Sequence, residues 1–166
     1  MFKSVEKYTC EELLGGSQGF VGSMWWLWYE AALDVVGKEQ AEKIAVRCGE
    51  LMGPRQIEGM KAILGKEFEN VEEMSKVADV VHAMMGYVAP WILETKFKGY
   101  EKVTNCTIYN NTPEKFEGGN VLKKWCITAG EAVYPKLHPS KPKLTRSGFM
   151  CEGDPHCIIE VEMQEP

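Results

Sequence analysis

Near Trp91 the apolar residues of this chain change period. Upstream they recur at the three-and-four spacing of helices. From there on "WILETKFKGYEKVTNCTIYN" alternates and is rich in β-branched and aromatic residues, the habit of one strand or two. Helices first and strands last predict an α+β fold, with N-terminal helices packed on a small antiparallel sheet that ends in a C-terminal β-hairpin. At 166 residues the chain is long enough for one core without disulfide staples. A single domain over 1–166 is expected, helical over about 1–90 and mixed over about 91–166.

The helices have readable ends. "VEKYTCEELLGG" is expected to close at Gly15 and Gly16. "QGFVGSMWWLWYEAALDVVG" sets Trp25, Trp28, Tyr29 and Ala32 on one face, with Gly37 as C-cap. "KEQAEKIAVRCGELMG" carries a stripe of Ala41, Ile44, Ala45 and Cys48 and should stop at Gly53-Pro54, before a further helix in "RQIEGMKAILG". Asn70 is a good N-cap for "VEEMSKVADVVHAMM", with Glu73 at the third helical position. "NTPEKFEGG" reads as a loop, and "NVLKKWCITAGEAVYPKL" returns to helical spacing until Pro135. After the proline-rich "HPSKPK", the segment "LTRSGFMCEGDPHCIIEVEM" reads as a hairpin turning at Gly153-Asp154. Ile158 and Glu160 then face one way, and Ile159 and Val161 the other.

A net charge of −5 and a pI near 5.3 argue against a nucleic-acid partner, which wants a basic face. "KPK" at 141–143, followed by Arg146, is the nearest approach to one, and a solvated loop accounts for it. No run approaches the ~18 apolar residues of a membrane span, and the N-terminus lacks the apolar stretch of a signal peptide. A cytoplasmic location is therefore expected, with no membrane partner. In that compartment the six cysteines are free thiols, metal ligands or catalysts rather than a disulfide framework.

Those cysteines are unevenly spread. Cys10 and Cys48 fall on helices, where a small buried hydrophobe is the default role. Cys106, Cys126, Cys151 and Cys157 all fall in the C-terminal part, with His138 and His156, and none forms a C-x2-C knuckle. Three readings stay open for "CEGDPHC": a metal clip, a reactive thiol, or a hairpin that merely contains cysteines. A nucleophilic Cys157 needs a base, and neighbours on a strand point to opposite faces, so His156 would diverge from it. The base would then come from His138, His82 or Glu131. Closing the hairpin brings Cys151 and Cys157 face to face.

The aromatic face of Trp25, Trp28 and Tyr29 is core by default; its functional reading is the wall of an apolar pocket, with Glu30 or Trp26 at the edge and Met84, Met85 and Tyr87 along it. His82 is expected to be a hydrogen-bonded core imidazole. Gly130, mid-helix beside Cys126, costs about 1 kcal/mol relative to alanine, so close packing or a ligand must justify it.

The closing stretch "LTRSGFMCEGDPHCIIEVE" resembles the C-terminal signature of the L-2-amino-thiazoline-4-carboxylic acid hydrolase-like proteins. "GSMWWLWYEAALDVVGKEQAEKIAVRCGELMG" is similar to that group's helical region, so the two stretches cover about half of the chain. A more distant resemblance is to the 4-vinyl reductase-type small-molecule-binding domains, which end in a Cys-x3-Gly-x3-Cys hairpin; in phenol-sensing members these cysteines, a further upstream cysteine and a Glu bind zinc. Here Gly153-x3-Cys157 matches the second half, and Cys126 matches the upstream cysteine. Phe149 takes the place of the first hairpin cysteine, with Cys151 two residues on, and Arg146 stands where the Glu would be.

The first resemblance implies C–N bond cleavage in a small heterocycle or cyclic amidine, by a thiol or a metal-bound water. On that reading Cys157 and His156 are the catalytic candidates, and Cys126, Cys151 and Cys157 hold zinc or support the thiol. Trp25, Trp28, Tyr29 and Glu30 contact the substrate in a pocket between their helix and the C-terminal sheet. Asp154 shapes the turn and holds His156. The second resemblance implies a non-enzymatic binding or accessory module with a structural cysteine or zinc site. Either way the expected partner is a small-molecule ligand or substrate, with a homo-oligomer or accessory-subunit role open.

Overall fold

The computed structural model describes residues 9–112, 119–136, 138 and 141–165. It is an α+β fold in which helices lead and a four-stranded antiparallel sheet follows.

Helix α1 spans Cys10–Leu64. Thr9 starts it with a capping box: its Oγ1 accepts the Glu12 N–H at 3.1 Å, and the Glu12 carboxylate accepts the Thr9 N–H at 2.8 Å. The expected end at Gly15 and Gly16 is corrected, because the helix runs through both. A glycine weakens a helix but ends it only where the backbone turns left-handed, and here that happens at Gly37 (φ 75°, ψ 167°). The expected cap at Gly37 is thus a break, dividing α1 into arms 10–36 and 38–64.

The expected stop at Gly53-Pro54 is corrected as well: Pro54 lies inside the second arm. A mid-helix proline costs about 3 kcal/mol. Burial of Gly49, Gly53, Ile57 and Met60 along one face offsets that cost. The same face continues upstream as Ala41 and Ala45, both with no exposed surface. The core stripe is therefore Ala41, Ala45, Gly49, Gly53. Ile44 and Cys48, expected on it, are exposed, and so is Cys10.

Small residues let α1 lie almost on the backbone of α4 (Gly119–Val133). A Cβ on Gly53 would stand 2.6 Å from the Ala132 Cβ, and one on Gly49 would stand 3.0 Å from the Trp125 carbonyl oxygen. Helix α2 (Val71–Met85) begins where expected, its Asn70 side chain accepting the Glu73 N–H at 2.9 Å. The Glu73 carboxylate reaches one residue further back than a capping box requires and accepts the Glu69 N–H at 3.0 Å.

Two strands, β1 (Trp91–Thr95) and β2 (Lys98–Val103), follow as a hairpin. The alternation ends there. Expected strand gives way to the one-turn helix α3 (Thr107–Asn110), capped by the Cys106 sulfur, which accepts the Tyr109 N–H at 3.5 Å. Helix α4 ends at Val133 and passes into a 3-10 turn, Tyr134–Lys136, that contains Pro135.

The C-terminal hairpin pairs β3 (Lys143–Ser147) with β4 (Cys157–Glu162). Its connection is a 3-10 turn, Met150–Glu152, closed by left-handed Gly153. The strand order is β1-β2-β4-β3. Register sets Glu101, Ile159 and Arg146 opposite one another across β2, β4 and β3, with Val103 opposite Cys157. Residues in register share a face, so this face presents Glu101, Ile159, Arg146 and Cys157 together. Among the described residues no helix is long and apolar enough to cross a membrane.

Candidate functional site

That face of the sheet, the 38–64 arm of α1, α2 and α4 enclose a cavity of about 180 Å³. Met52 and Met60 come from α1, Val81 and Met85 from α2, and Leu122, Trp125 and Ala129 from α4, so most of the wall is apolar. The polar groups among them include Gln56, His82, Glu101, Tyr87, Tyr109, Tyr134, Arg146 and the thiols of Cys106, Cys126, Cys151 and Cys157.

Glu101 is the most deeply buried acid, 1% exposed. Its Oε1 lies 2.7 Å from Nδ1 of His82, as an ion pair whose angles fall short of an aligned hydrogen bond. Its Oε2 accepts the Tyr134 hydroxyl at 3.3 Å. Burial pulls the His82 pKa down, but Glu101, helped by Asp79, more than offsets this, so the imidazole ends above the ordinary histidine value. Burial also drives the Tyr134 and Tyr87 hydroxyls well up, so both stay protonated. The sequence expectation of a hydrogen-bonded core imidazole becomes a charged pair on the cavity wall.

Gly130 is explained by the same site. A Cβ there would stand 1.8 Å from Nη2 of Arg146 and 2.8 Å from its Cζ, so the guanidinium fills the space that a side chain would take. Close packing, one of the two expected justifications, is present.

Burial raises the pKa of all four thiols at the cavity. Cys151 is pushed to about 11, by burial and then by Cys157. For Cys157 burial outweighs the Met150 N–H that its sulfur accepts at 3.2 Å and the nearby charge of Arg146. These are thiols, not thiolates, at neutral pH. All six described cysteines are free. On the native protein at pH 8, dithionitrobenzoate should label exposed Cys10 and Cys48 rapidly, Cys106 and Cys157 more slowly, and Cys126 and Cys151 at least about tenfold more slowly, since each pKa unit removes tenfold of the thiolate. Uniform labelling, resolved site by site by mass spectrometry, would contradict this cavity.

The candidates from sequence divide. Cys126, Cys151 and Cys157 do share the cavity, and Cys106 joins them. Among the described residues no three His, Cys, Asp or Glu side chains converge closely enough to hold a metal ion. His156 is half-buried and outside the cavity wall. Asp154 shapes the turn, its carboxylate accepting the Phe149 N–H at 2.7 Å; among the described residues it makes no hydrogen bond to His156. His138 stands at a separate surface hollow beside Phe68 and Phe97.

The aromatic expectation needs correction. Trp25, Trp28, Tyr29 and Glu30 do not line the cavity. Trp28 is 37% exposed, whereas its neighbour Trp26 is buried and donates its indole N–H to the Ile108 carbonyl at 2.7 Å. Trp25 stacks on Tyr29 and meets Trp125 edge-on at 5.7 Å, so the cluster forms a layer behind the cavity wall. Met85 and Tyr87 do line the space, and Met84 faces solvent. Sequence reasoning missed Glu101 and Tyr134 altogether. In the sequence Arg146 stands out as part of a short basic stretch and as a departure from a family pattern, although Gly130 signals that something fills the groove beside it.

No family model matches this chain, and no curated protein matches it by sequence. Solved structures do. One is the phenol-responsive sensory domain of the transcription activator PoxR, in complex with phenol: TM-score 0.53 at 15% identity, covering 88% of this chain and 74% of that one. Another is a trafficking protein particle complex subunit 3 from Naegleria fowleri, covalently bound to palmitic acid: TM-score 0.56 at 14% identity, covering 90% of this chain and 96% of that one. At such identities the likeness shows the fold, one shared with a small-molecule-responsive domain.

Proposed function

We propose that this chain is a small-molecule-binding domain of the sensory or accessory kind, taking one compact, mainly apolar ligand into the cavity under the sheet. The carrying observation is the cavity itself, a half-open and mainly apolar space with polar groups among its lining residues. Its volume of about 180 Å³ sets the scale. Engineered apolar cavities of about 150 Å³ in other proteins take up benzene, so a single substituted ring fits and a long acyl chain does not. The phenol-bound neighbour supports this class of ligand, whereas the palmitic acid of the other neighbour exceeds the space enclosed here.

C–N bond cleavage, the leading expectation from sequence, has less support. A cysteine nucleophile works as its thiolate, and burial holds these thiols protonated. Neither structural neighbour is described as a hydrolase.

Thermal unfolding with phenol, benzoate and palmitate tests the proposal. A ligand at about a hundredfold excess over its Kd adds about 2.7 kcal/mol, which for a chain of this size raises Tm by roughly 5–10 °C. At least one single-ring compound should give such a shift and palmitate should give none. No shift with any ring compound, or a larger one with palmitate, would overturn the reading.

A further inference from the structure

We infer that the ligand is a small monocyclic carboxylate and that Arg146 is the residue that receives its charge. The inference rests on the cavity's being a binding site, and it adds the ligand's charge.

The argument begins with how the polar groups are paired. Glu101 has both oxygens engaged, one by His82 at 2.7 Å and the other by Tyr134 at 3.3 Å. His82 faces Glu101 at 2.7 Å, so the acid and the base there are already matched to each other. Arg146 sits two strands away, with β4 and Ile159 between them. Two strand spacings set the backbones roughly 10 Å apart, so Glu101 is committed elsewhere.

Arg146 itself has no such partner. Its Nε is buried without a hydrogen-bond acceptor, and among the described residues the side chain makes neither an ion pair nor a hydrogen bond. The side chains that feel its charge are Cys126, Cys157 and Tyr134, all neutral at pH 7. A guanidinium stays charged in any protein environment, and this one is half-buried with its Nε shut off from water, where an unpaired charge is disfavoured. Here the protein holds one in place against Gly130, facing a cavity and without an acidic side-chain partner among the described residues.

A carboxylate suits that guanidinium better than a neutral hydroxyl does. The planar fork of arginine donates two parallel hydrogen bonds to a carboxylate, and such charge-assisted pairs are about twice as strong as neutral ones. Met52, Met60, Leu122 and Ala129 offer apolar contact to the remainder of the ligand.

Benzoate and benzamide make the test, because they share a ring and a shape and differ in charge. Isothermal titration of the full chain should show benzoate binding at least about tenfold tighter than benzamide. Arg146→Gln should remove that preference, weakening benzoate at least about tenfold more than it weakens benzamide. Gly130→Ala should do the same without touching the arginine, since the new methyl displaces the guanidinium. Alanine favours the helix, so its Tm should not fall, and the loss of binding will not be a folding defect. Equal binding of the two probes, or a benzoate preference that survives Arg146→Gln, would overturn the charge assignment and leave the cavity reading standing. If benzoate, benzamide and phenol all fail to bind, both readings fall together.

Discussion

Replacing His82 with leucine is expected to destabilise the protein by about 3–5 kcal/mol at neutral pH, because it strands Glu101 as an uncompensated buried charge. The carboxylate is 1% exposed and its Oε1 has only the imidazole, at 2.7 Å. Tyr134 holds the other oxygen and cannot replace the lost charge. The double variant His82→Leu, Glu101→Leu should recover most of that loss, since an apolar pair of similar volume is often neutral or better. Urea unfolding of the wild type, the single variants and the double variant measures the coupling. Near-additive losses would mean that the pair does not act as a unit.

The same pair predicts a pH dependence with a definite sign. His82 has a higher pKa folded than unfolded. Its contribution to stability is therefore complete below the unfolded value near 6.5 and is lost as pH rises through the higher folded value. Wild-type stability should fall on going from slightly acidic to mildly alkaline pH, and His82→Leu should flatten that part of the profile.

Gly53→Leu is expected to be comparably damaging. Even a Cβ there would meet the Ala132 Cβ at 2.6 Å and its backbone carbon at 2.9 Å, so α1 and α4 must separate. Forcing a side chain into such a seam costs roughly 3 kcal/mol. The movement would also reshape a cavity that both helices wall. Gly59→Ala is the matched control. Nothing lies within 4 Å of its Cβ position on the same helix, so alanine should stabilise by about 1 kcal/mol. Thermal denaturation should move the two variants in opposite directions, and a Gly53→Leu protein as stable as wild type would mean that the helices do not cross so closely.

Much of the architecture was legible because it follows local rules. Asn70 and Gly37 have side chains or backbone freedom that mark a cap or a break wherever they occur, and β-branched alternation after Trp91 marks strands. Errors arose where packing overrides those rules. Pro54 stays within a helix because its neighbours Gly53 and Ile57 are buried along one face, a gain that a local pattern does not display. Trp28 and Trp26 differ by two positions and exchange roles because helix α3 approaches Gly22 and Trp26, which only the tertiary structure decides.

The cavity was half legible. Cys126, Cys151 and Cys157 belong together by their place in the chain, and all three line the cavity. Glu101 and Arg146 become neighbours of one site only through strand register, with β4 inserted between β2 and β3. No spacing along the chain encodes that arrangement. Gly130 was the one local trace of it.

The most direct test of the account is a phenol titration followed by amide chemical shifts in the full chain. Saturable shifts should gather at the cavity wall, around Tyr87, Cys106, Trp125, Ala129 and Cys157, with little change at exposed Phe20 and Val35. Shifts confined to the surface hollow around Phe68 and Phe97, or none at any concentration, would contradict the claim that this fold encloses a ligand site.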